Sequence, residues 1–273
     1  PTLFRSTIIC RWMFGAEAVF TVPPLELGSL YELPYVLFIG ILIGILAAAF
    51  IHLIQQFSQT SSNKPLWQRT TLAGIIIGLC ALVSPEIMGI GYDTVNAALL
   101  GQIGMALLLI IVIFKVIATA AAIGLGIPGG LIGPSLFIGA AAGGALGMIA
   151  DMIFPGGVSS YAFYAMIGMG AMMGAVLNAP LAALMALMEL SNTTTIIFPG
   201  MLAITIATLT TSEIFKQHSV HQTVLNMTKQ ALPTDPLSLA LQRTGVSSVM
   251  HREVITIPER LYATEAKKLL TST

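Results

Sequence analysis

The sequence predicts an all-α integral membrane protein built from broken, tilted helices, and three observations support this class. The chain is 56% hydrophobic but only 9% charged, whereas soluble domains carry about 25% charged residues. Between Asp93 and Glu213 the only acidic or basic side chains are Lys115, Asp151 and Glu189. Clusters of Gly, Pro and Asn interrupt the apolar runs, which predicts helices that break inside the bilayer.

The first apolar run, residues 35–54, is the clearest membrane-spanning helix, because a span needs about 20 apolar residues. The polar stretch 55–70 follows, and its composition predicts a loop beside the membrane with Trp67 at the interface. The next apolar run, residues 72–83, is too short to cross a bilayer alone.

Residues 97–122 are apolar except for Gln102 and Lys115, and the Gly/Pro cluster at 124–134 must end a helix. Broken helices inside a membrane leave backbone N–H and C=O groups that must be buried in protein or line a polar cavity. Each interruption is therefore either a candidate binding site or a re-entrant packing kink. Four further apolar runs follow the cluster, at residues 136–154, 162–177, 181–190 and 196–209.

Polarity returns after Glu213, and residues 214–225 predict a helix that leaves the membrane. A proline-containing linker then leads into a segment of soluble composition, with a short strand at 254–257 and a helix at 261–270. Both ends of the chain look cut, so we expect a fragment of a longer protein. The predicted domains are residues 1–230 in the membrane, the linker 231–245 and the soluble segment 246–273.

Composition also argues against several classes of function. The formal net charge is zero, so no basic surface predicts nucleic-acid binding. Cys10 and Cys80 lie in or beside apolar segments without CxxC spacing, which predicts neither a disulfide framework nor a metal site. We expect no cofactor, no metal and no catalytic residues, and therefore no enzymatic activity.

The segment 126–140 has the order loop, then helix. Its glycines let the backbone approach a ligand closely, and Pro134 suits the first turn of a helix, whose start presents free N–H groups with about half a positive charge. Partial charges of this size can hold an anion in a low-dielectric membrane and still release it. Close helix packing at glycines is the alternative explanation. The predicted donors are the backbone amides of Gly130, Leu131, Ile132 and Gly133.

This segment resembles the motif GGIFAPxLxxGA of the CLC family of chloride channels and proton/chloride antiporters. Ile132 stands where the motif has its aromatic residue, but the backbone N–H remains. The resemblance implies a CLC-type inverted-repeat chloride channel fold, of which this chain is the C-terminal half of the membrane domain. It also implies that chloride is the transported substrate, bound by the amides of Leu131 and Ile132.

A second region, residues 164–192, is similar to the family's run IGMGALLAAxxRAPLTxxxLxxEMTxN. Asn178 stands where the family usually has Arg. Glu189 is either a proton-active carboxylate or a structural cap at a helix end beside Ser191.

Two further side chains have competing interpretations. The resemblance aligns His221 with a tyrosine whose hydroxyl closes the inner side of the chloride site. An imidazole N–H can donate to chloride, so His221 is a candidate side-chain ligand, and an interfacial helix residue is the alternative. Lys115 either lends positive potential to an anion path or packs against helix-end carbonyls or a carboxylate.

The resemblance also implies partners. They are membrane lipid and a second copy of the chain, the homodimer forming through helices near 1–11, 181–190 and 196–209. Residues 246–258 look like the opening of a CBS domain. A complete CBS pair often binds adenine nucleotides, but those binding residues would lie beyond Thr273.

The family's GxEGP and GSGIP motifs belong to its N-terminal half and do not occur in this chain. Channel and antiporter therefore both remain open. We expect a multi-pass protein of the bacterial inner membrane with a cytoplasmic C-terminus. A CBS-regulated transporter of another ion or metabolite, using Lys115 and Glu189 as its charged elements, is the main alternative function, and a non-transporting membrane scaffold is a third.

Overall fold

The computed structural model describes most of the apolar part of the chain. Single residues are also described before residue 28. The described stretch is 28–227, with short gaps at 62–63, 154–158 and 192.

The chain divides into two compact units, Pro1–Ala231 and Leu232–Thr273, and the described residues all belong to the first. Three predicted segments lie wholly or almost wholly outside the described residues. They are the dimer segment 1–11, the linker 231–245 and the CBS-like segment 246–273.

The described residues are helical wherever they form regular structure. Short 3-10 turns at Leu30–Glu32 and Pro85–Ile87 precede the first and third helices, and a π-helical turn at Thr210–Ile214 continues the eighth. The helices are α1 (Leu33–Ser61), α2 (Leu66–Val83), α3 (Tyr92–Leu99), α4 (Met105–Gly124), α5 (Ile132–Ile153), α6 (Tyr161–Leu177), α7 (Pro180–Ser191), α8 (Ile197–Leu209) and α9 (Val220–Met227).

Five helices are long and apolar enough to cross a membrane: α1, α2, α4, α5, and α8 together with its π-helical turn. Helices α6 and α7 are apolar but shorter. Bilayer-length helices mixed with shorter ones confirm the predicted all-α membrane class with helices of unequal length.

The prediction of a polar loop over 55–70 is wrong. Helix α1 continues to Ser61 and α2 begins at Leu66, so only a short connection separates them. The hydroxyls of Thr70 and Thr71 donate back to the Trp67 carbonyl, at 3.0 and 2.8 Å, which satisfies these polar groups inside the helix. The run 72–83 is thus the end of an 18-residue helix that is long enough to span.

The apolar run 97–122 is divided between two helices. Helix α3 ends at Leu99, and Gly101 adopts the left-handed conformation with φ 67°. A methyl group at Gly101 would lie 2.7 Å from the Tyr161 ring, so glycine suits both the backbone and the packing there. Helix α4 then starts at Met105 and ends at the predicted break.

Helices α5 and α6 cross so closely that their backbones touch. A methyl group built on Gly139 would overlap the Gly168 carbonyl, and one on Gly168 would overlap the Gly139 carbonyl. Gly143 faces the Tyr164 carbonyl in the same way. This crossing fixes the position of α5, the helix that begins at the candidate site.

A buried carboxylate ties the start of α1 to the start of α6. One oxygen of Glu32 accepts from the Tyr164 hydroxyl and the Ser159 hydroxyl, both at 2.7 Å. The Ser159 N–H also donates to that oxygen at 3.2 Å, and the other oxygen accepts from the Ser29 N–H at 3.0 Å. Among the described residues, hydroxyl and amide donors satisfy Glu32, and none of them is a cation.

The expectation of one continuous helix over 214–225 is also wrong. The π-helical turn ends at Ile214, Lys216 has φ 52°, and α9 begins only at Val220. The Thr211 hydroxyl donates to the Gly44 carbonyl of α1 at 2.9 Å, which anchors the turn before the chain changes direction. Helix α9 packs against α1 and α6.

Candidate anion-binding site

The candidate site begins where α4 ends. Gly126, with φ 93°, reverses the chain, and its N–H donates to the Ile123 carbonyl at 3.0 Å. The Ile127 N–H donates to the Ala122 carbonyl at 2.9 Å. These two bonds form a Schellman motif, which requires a left-handed residue and explains the glycine at 126.

The end of α4 is held on two sides. A methyl group at Gly124 would lie 2.7 Å from the Ile54 carbonyl, so α4 packs directly against α1. The Arg69 guanidinium of α2 donates to the Gly124 carbonyl at 3.4 Å. A cation at this helix C-terminus is favourable because the last carbonyls carry partial negative charge.

The start of α5 leaves backbone donors free. Its first helical bond runs from the Ser135 N–H to the Leu131 carbonyl at 3.0 Å. No described protein group accepts from the N–H groups of Leu131, Ile132 or Gly133, and Pro134 has no N–H to satisfy. The helix therefore presents three unpartnered amide donors at its positive end.

The glycines of the loop face open space. A methyl group built on Gly129, Gly130 or Gly133 would meet no atom within 4 Å. These glycines are therefore not explained by close helix packing, the alternative considered from the sequence. Gly129 and Gly130 instead line a cavity of about 290 Å³.

The four residues whose amides are the predicted donors differ in their exposure and in whether they line the cavity. Gly130 is exposed and lines the cavity, whereas the Leu131 side chain is buried at 5% exposure. Ile132 is half exposed, and Gly133 borders open space. Neither Leu131, Ile132 nor Gly133 is among the cavity-lining residues. The assignment of chloride to these amides remains a prediction.

Lys115 forms the other wall of the same cavity. Its ammonium donates to the Ile87 carbonyl at 2.6 Å and to the Gly89 carbonyl at 3.1 Å. The same nitrogen lies 4.4 Å from the ring centroid of Phe137 in α5. The structure thus confirms packing of Lys115 against backbone carbonyls, and it also places the charge beside the loop.

No described contact joins His221 to the loop. His221 lies in the first turn of α9, its side chain is exposed, and its backbone N–H donates to the Ser219 hydroxyl at 3.3 Å. No described hydrogen bond or cavity links it to residues 126–133. Its role as a chloride ligand also remains a prediction.

Asn178 and Glu189 occupy helix ends. Asn178 caps α6 in the left-handed conformation, with φ 53° and ψ 44°. Asn tolerates that conformation better than most residues, which gives a local reason for its presence where the resemblance expects Arg. Glu189 is exposed in the last turn of α7, and the nearby Ser191 hydroxyl donates to the Met188 carbonyl at 3.4 Å.

Two features were missed by sequence reasoning. The segment that carries Ile87 and Gly89 contributes the carbonyls that hold Lys115, and Glu32 organises the far end of the bundle. Glu32 had a signal, since it is an acidic residue immediately before the longest apolar helix. The carbonyl contacts had none, because any residue type supplies a carbonyl.

The matched part of this chain spans about half the length of the curated relatives. A protein of Ralstonia nicotianae named for its likeness to the chloride channel protein ClcB is 33% identical over 200 residues, covering 72% of this chain and 46% of the relative. The H(+)/Cl(-) exchange transporter ClcA of Vibrio campbellii is 29% identical over 240 residues, covering 84% of this chain and 51% of the relative.

A solved structure shows the same fold. The slow cyanobacterial Cl⁻/H⁺ antiporter superposes with a TM-score of 0.74 at 24% identity, covering 82% of this chain and 54% of that one. The family model described as voltage gated chloride channel matches residues 2–212. These matches agree with the motif in the loop before α5, and the chain belongs to the voltage gated chloride channel family.

Proposed function

We propose that the protein containing this chain transports chloride across a membrane, as a channel or as a proton/chloride antiporter. The observation that carries the proposal is the start of α5. Three backbone N–H groups, those of Leu131, Ile132 and Gly133, lack protein acceptors in a chain built for a low-dielectric membrane. Unpaired donors of this kind are costly there unless a ligand or water satisfies them.

The chemistry of the donors favours a monovalent anion. Each N–H contributes a partial positive charge, and the dipole of α5 adds to it. The attraction is sufficient to replace part of a halide's hydration shell but weaker than that of a direct ion pair, so the ion can leave again. Relatives named for chloride transport support the choice of anion.

The experiment uses the full-length protein reconstituted in liposomes loaded with chloride. We expect chloride efflux, recorded with a chloride electrode, to depend on the protein and to stop when a large anion such as gluconate replaces chloride. Efflux of another ion or a metabolite without any response to chloride would contradict the proposal. A proton flux driven by a chloride gradient indicates an antiporter, and its absence during chloride flux indicates a channel.

The anion position has a direct test. A crystal of the complete protein soaked in bromide should show an anomalous peak beside the amides of Leu131 and Ile132. A peak elsewhere in the membrane domain would be consistent with chloride transport but would contradict the assignment of the anion site to these amides. Absence of any peak would contradict both.

We further propose that two copies assemble through α7 and α8. Several large apolar side chains are exposed on these helices, and a second copy or lipid would cover them. Cross-linking between cysteines introduced at α7 of two copies in the membrane should trap a dimer, whereas cysteines at the exposed Leu79 or Leu82 of α2 should not. The exposed side chains are Leu181, Met185, Phe198, Met201 and Leu209.

The remaining expectations concern the C-terminal part and the membrane. We propose that residues 246–273 begin a cytoplasmic CBS domain and that the protein resides in a bacterial inner membrane. Proteolysis of right-side-out and inside-out vesicles should cleave this segment only in the inside-out preparation. Cleavage in right-side-out vesicles would reverse the orientation.

A further inference from the structure

Lys115 carries a charge that no described carboxylate neutralises. Its side chain is 5% exposed. Its nitrogen contacts two carbonyls and an aromatic face, and no described Asp or Glu lies within ion-pair distance of it. The face of Phe137 at 4.4 Å favours the protonated amine, because ring faces attract cations. Carbonyl oxygens carry no net charge, so a full positive charge remains in the interior.

This charge and the candidate anion loop face the same space. Lys115 lines the cavity of about 290 Å³ together with Gly129 and Gly130. The rest of the lining consists mainly of apolar side chains and backbone. Beside a largely apolar wall a unit charge acts over several ångströms and is screened less than a charge in bulk solution.

The contacts of Lys115 also keep it from trapping an anion. The ammonium donates to the Ile87 and Gly89 carbonyls and lies 4.4 Å from the Phe137 ring centroid, so a halide in the cavity would feel the positive potential while two of the three N–H donors are already bonded. A direct ammonium–halide contact in a low dielectric would hold the ion too long for rapid passage.

We propose that Lys115 is a specificity-determining residue that concentrates anions, and repels cations, in the cavity in front of the residue 127–130 loop. The proposal rests on the proposed function and adds to it a side chain that acts on the anion without binding it. Lys115 also holds the segment containing Ile87 and Gly89 against α4. The experiment must therefore separate the charge from this mechanical role.

The test compares Lys115→Met with Lys115→Arg in the full-length protein in liposomes. Initial chloride flux is measured against chloride concentration at constant ionic strength. In Lys115→Met we expect the half-saturating chloride concentration to rise about tenfold, because a unit charge is lost beside the ion, while the maximal rate changes little. Lys115→Arg keeps the charge and should remain within about twofold of the unmodified protein.

Other outcomes overturn the inference. Equal half-saturating concentrations in Lys115→Met and the unmodified protein would show that the charge does not act on the anion. Equal losses of maximal rate in both variants would assign Lys115 a purely mechanical role. If the unmodified protein transports chloride, the proposed function stands in either case. If the unmodified protein transports no chloride, the proposed function itself fails.

A second pair of variants leaves the contacts of Lys115 intact. Thr119 lies one turn further along α4 and lines the same cavity. Thr119→Lys adds a positive charge and should lower the half-saturating chloride concentration severalfold, whereas the neutral Thr119→Gln should not. If both variants behave alike, the inference fails even where Lys115→Met does not fold.

Discussion

At the level of single residues, Glu32 shows how a charge can be buried in an apolar protein. The carboxylate is 5% exposed and accepts from four donors on Ser29, Ser159 and Tyr164. Glu32 lies directly before α1, where the positive end of the helix dipole further stabilises its negative charge. Removal of the charge should therefore weaken the link between α1 and α6.

The first prediction follows from this arrangement. Glu32→Gln should lower the free energy of unfolding by about 2 kcal/mol, because an amide cannot accept from donors on both sides as the carboxylate does. Unfolding in mixed micelles with increasing dodecyl sulfate would measure the change.

A matched control is available at the surface. Glu213 pairs with Lys216 at 3.3 Å, but both side chains are more than two-thirds exposed. Glu213→Gln should change stability by less than about 0.5 kcal/mol. A similar loss in both variants would mean that the network at Glu32 contributes no more than a solvated ion pair.

Single residues also show how far sequence reasoning reaches. The free amides before α5 were predictable, because glycines followed by proline define both the loop and the first turn. The carbonyl partners of Lys115 were not, since they depend on the tertiary position of residues 87–89. His221 shows a further limit, because only a family alignment made it a candidate ligand, and its one described hydrogen bond, to Ser219, does not test that assignment.

At the level of elements, the most extensive helix contact in the described fold is the crossing of α5 and α6. Gly139 and Gly168 approach through their backbones. Backbone atoms cannot turn aside as a flexible side chain can, so one added methyl group has no room.

The second prediction compares two glycines in helices. Gly139→Ala should destabilise the protein by about 1–3 kcal/mol, because the methyl group would overlap the Gly168 carbonyl. Gly74→Ala in α2, where a methyl group would meet nothing within 4 Å, should be neutral or stabilise by up to about 1 kcal/mol. Thermal unfolding in mild detergent would rank the two variants, and equal melting temperatures would contradict the close crossing.

Apolar runs predicted most helices but misplaced some ends. Residues 162–177 and 196–209 agree with α6 and α8 to within one residue at each end. Helix α2 was judged too short because its first turns are polar, although its threonine hydroxyls bond within the helix. Hydropathy reports which residues prefer lipid, whereas a helix ends where its backbone bonds end.

At the level of the whole molecule, the chain spans about half the length of the relatives it matches. The loop of the candidate site borders open space on the side of Gly129 and Gly130. An ion path that passes the loop would need further residues on this open side to complete its wall. Tests of transport therefore belong to the full-length protein.

The third prediction uses that open space. Gly130→Ala should leave the melting temperature unchanged, because the added methyl group meets nothing within 4 Å. It should nevertheless reduce chloride flux severalfold, since the methyl group would narrow the cavity that Gly129 and Gly130 line. Gly74→Ala is the control for flux, because Gly74 does not line this cavity and a methyl group there would meet nothing within 4 Å. Unchanged flux in Gly130→Ala would move the ion path away from this loop.

The crossing of α5 and α6 restricts how such a protein could move. The helix that presents the amides is interlocked, backbone against backbone, with its neighbour, so neither can slide lengthwise or roll without collision. Any cycle of opening and closing would therefore have to leave the two helices in place or move them together as one unit. The free amides at the start of α5 would then keep the same position relative to α6 throughout the cycle.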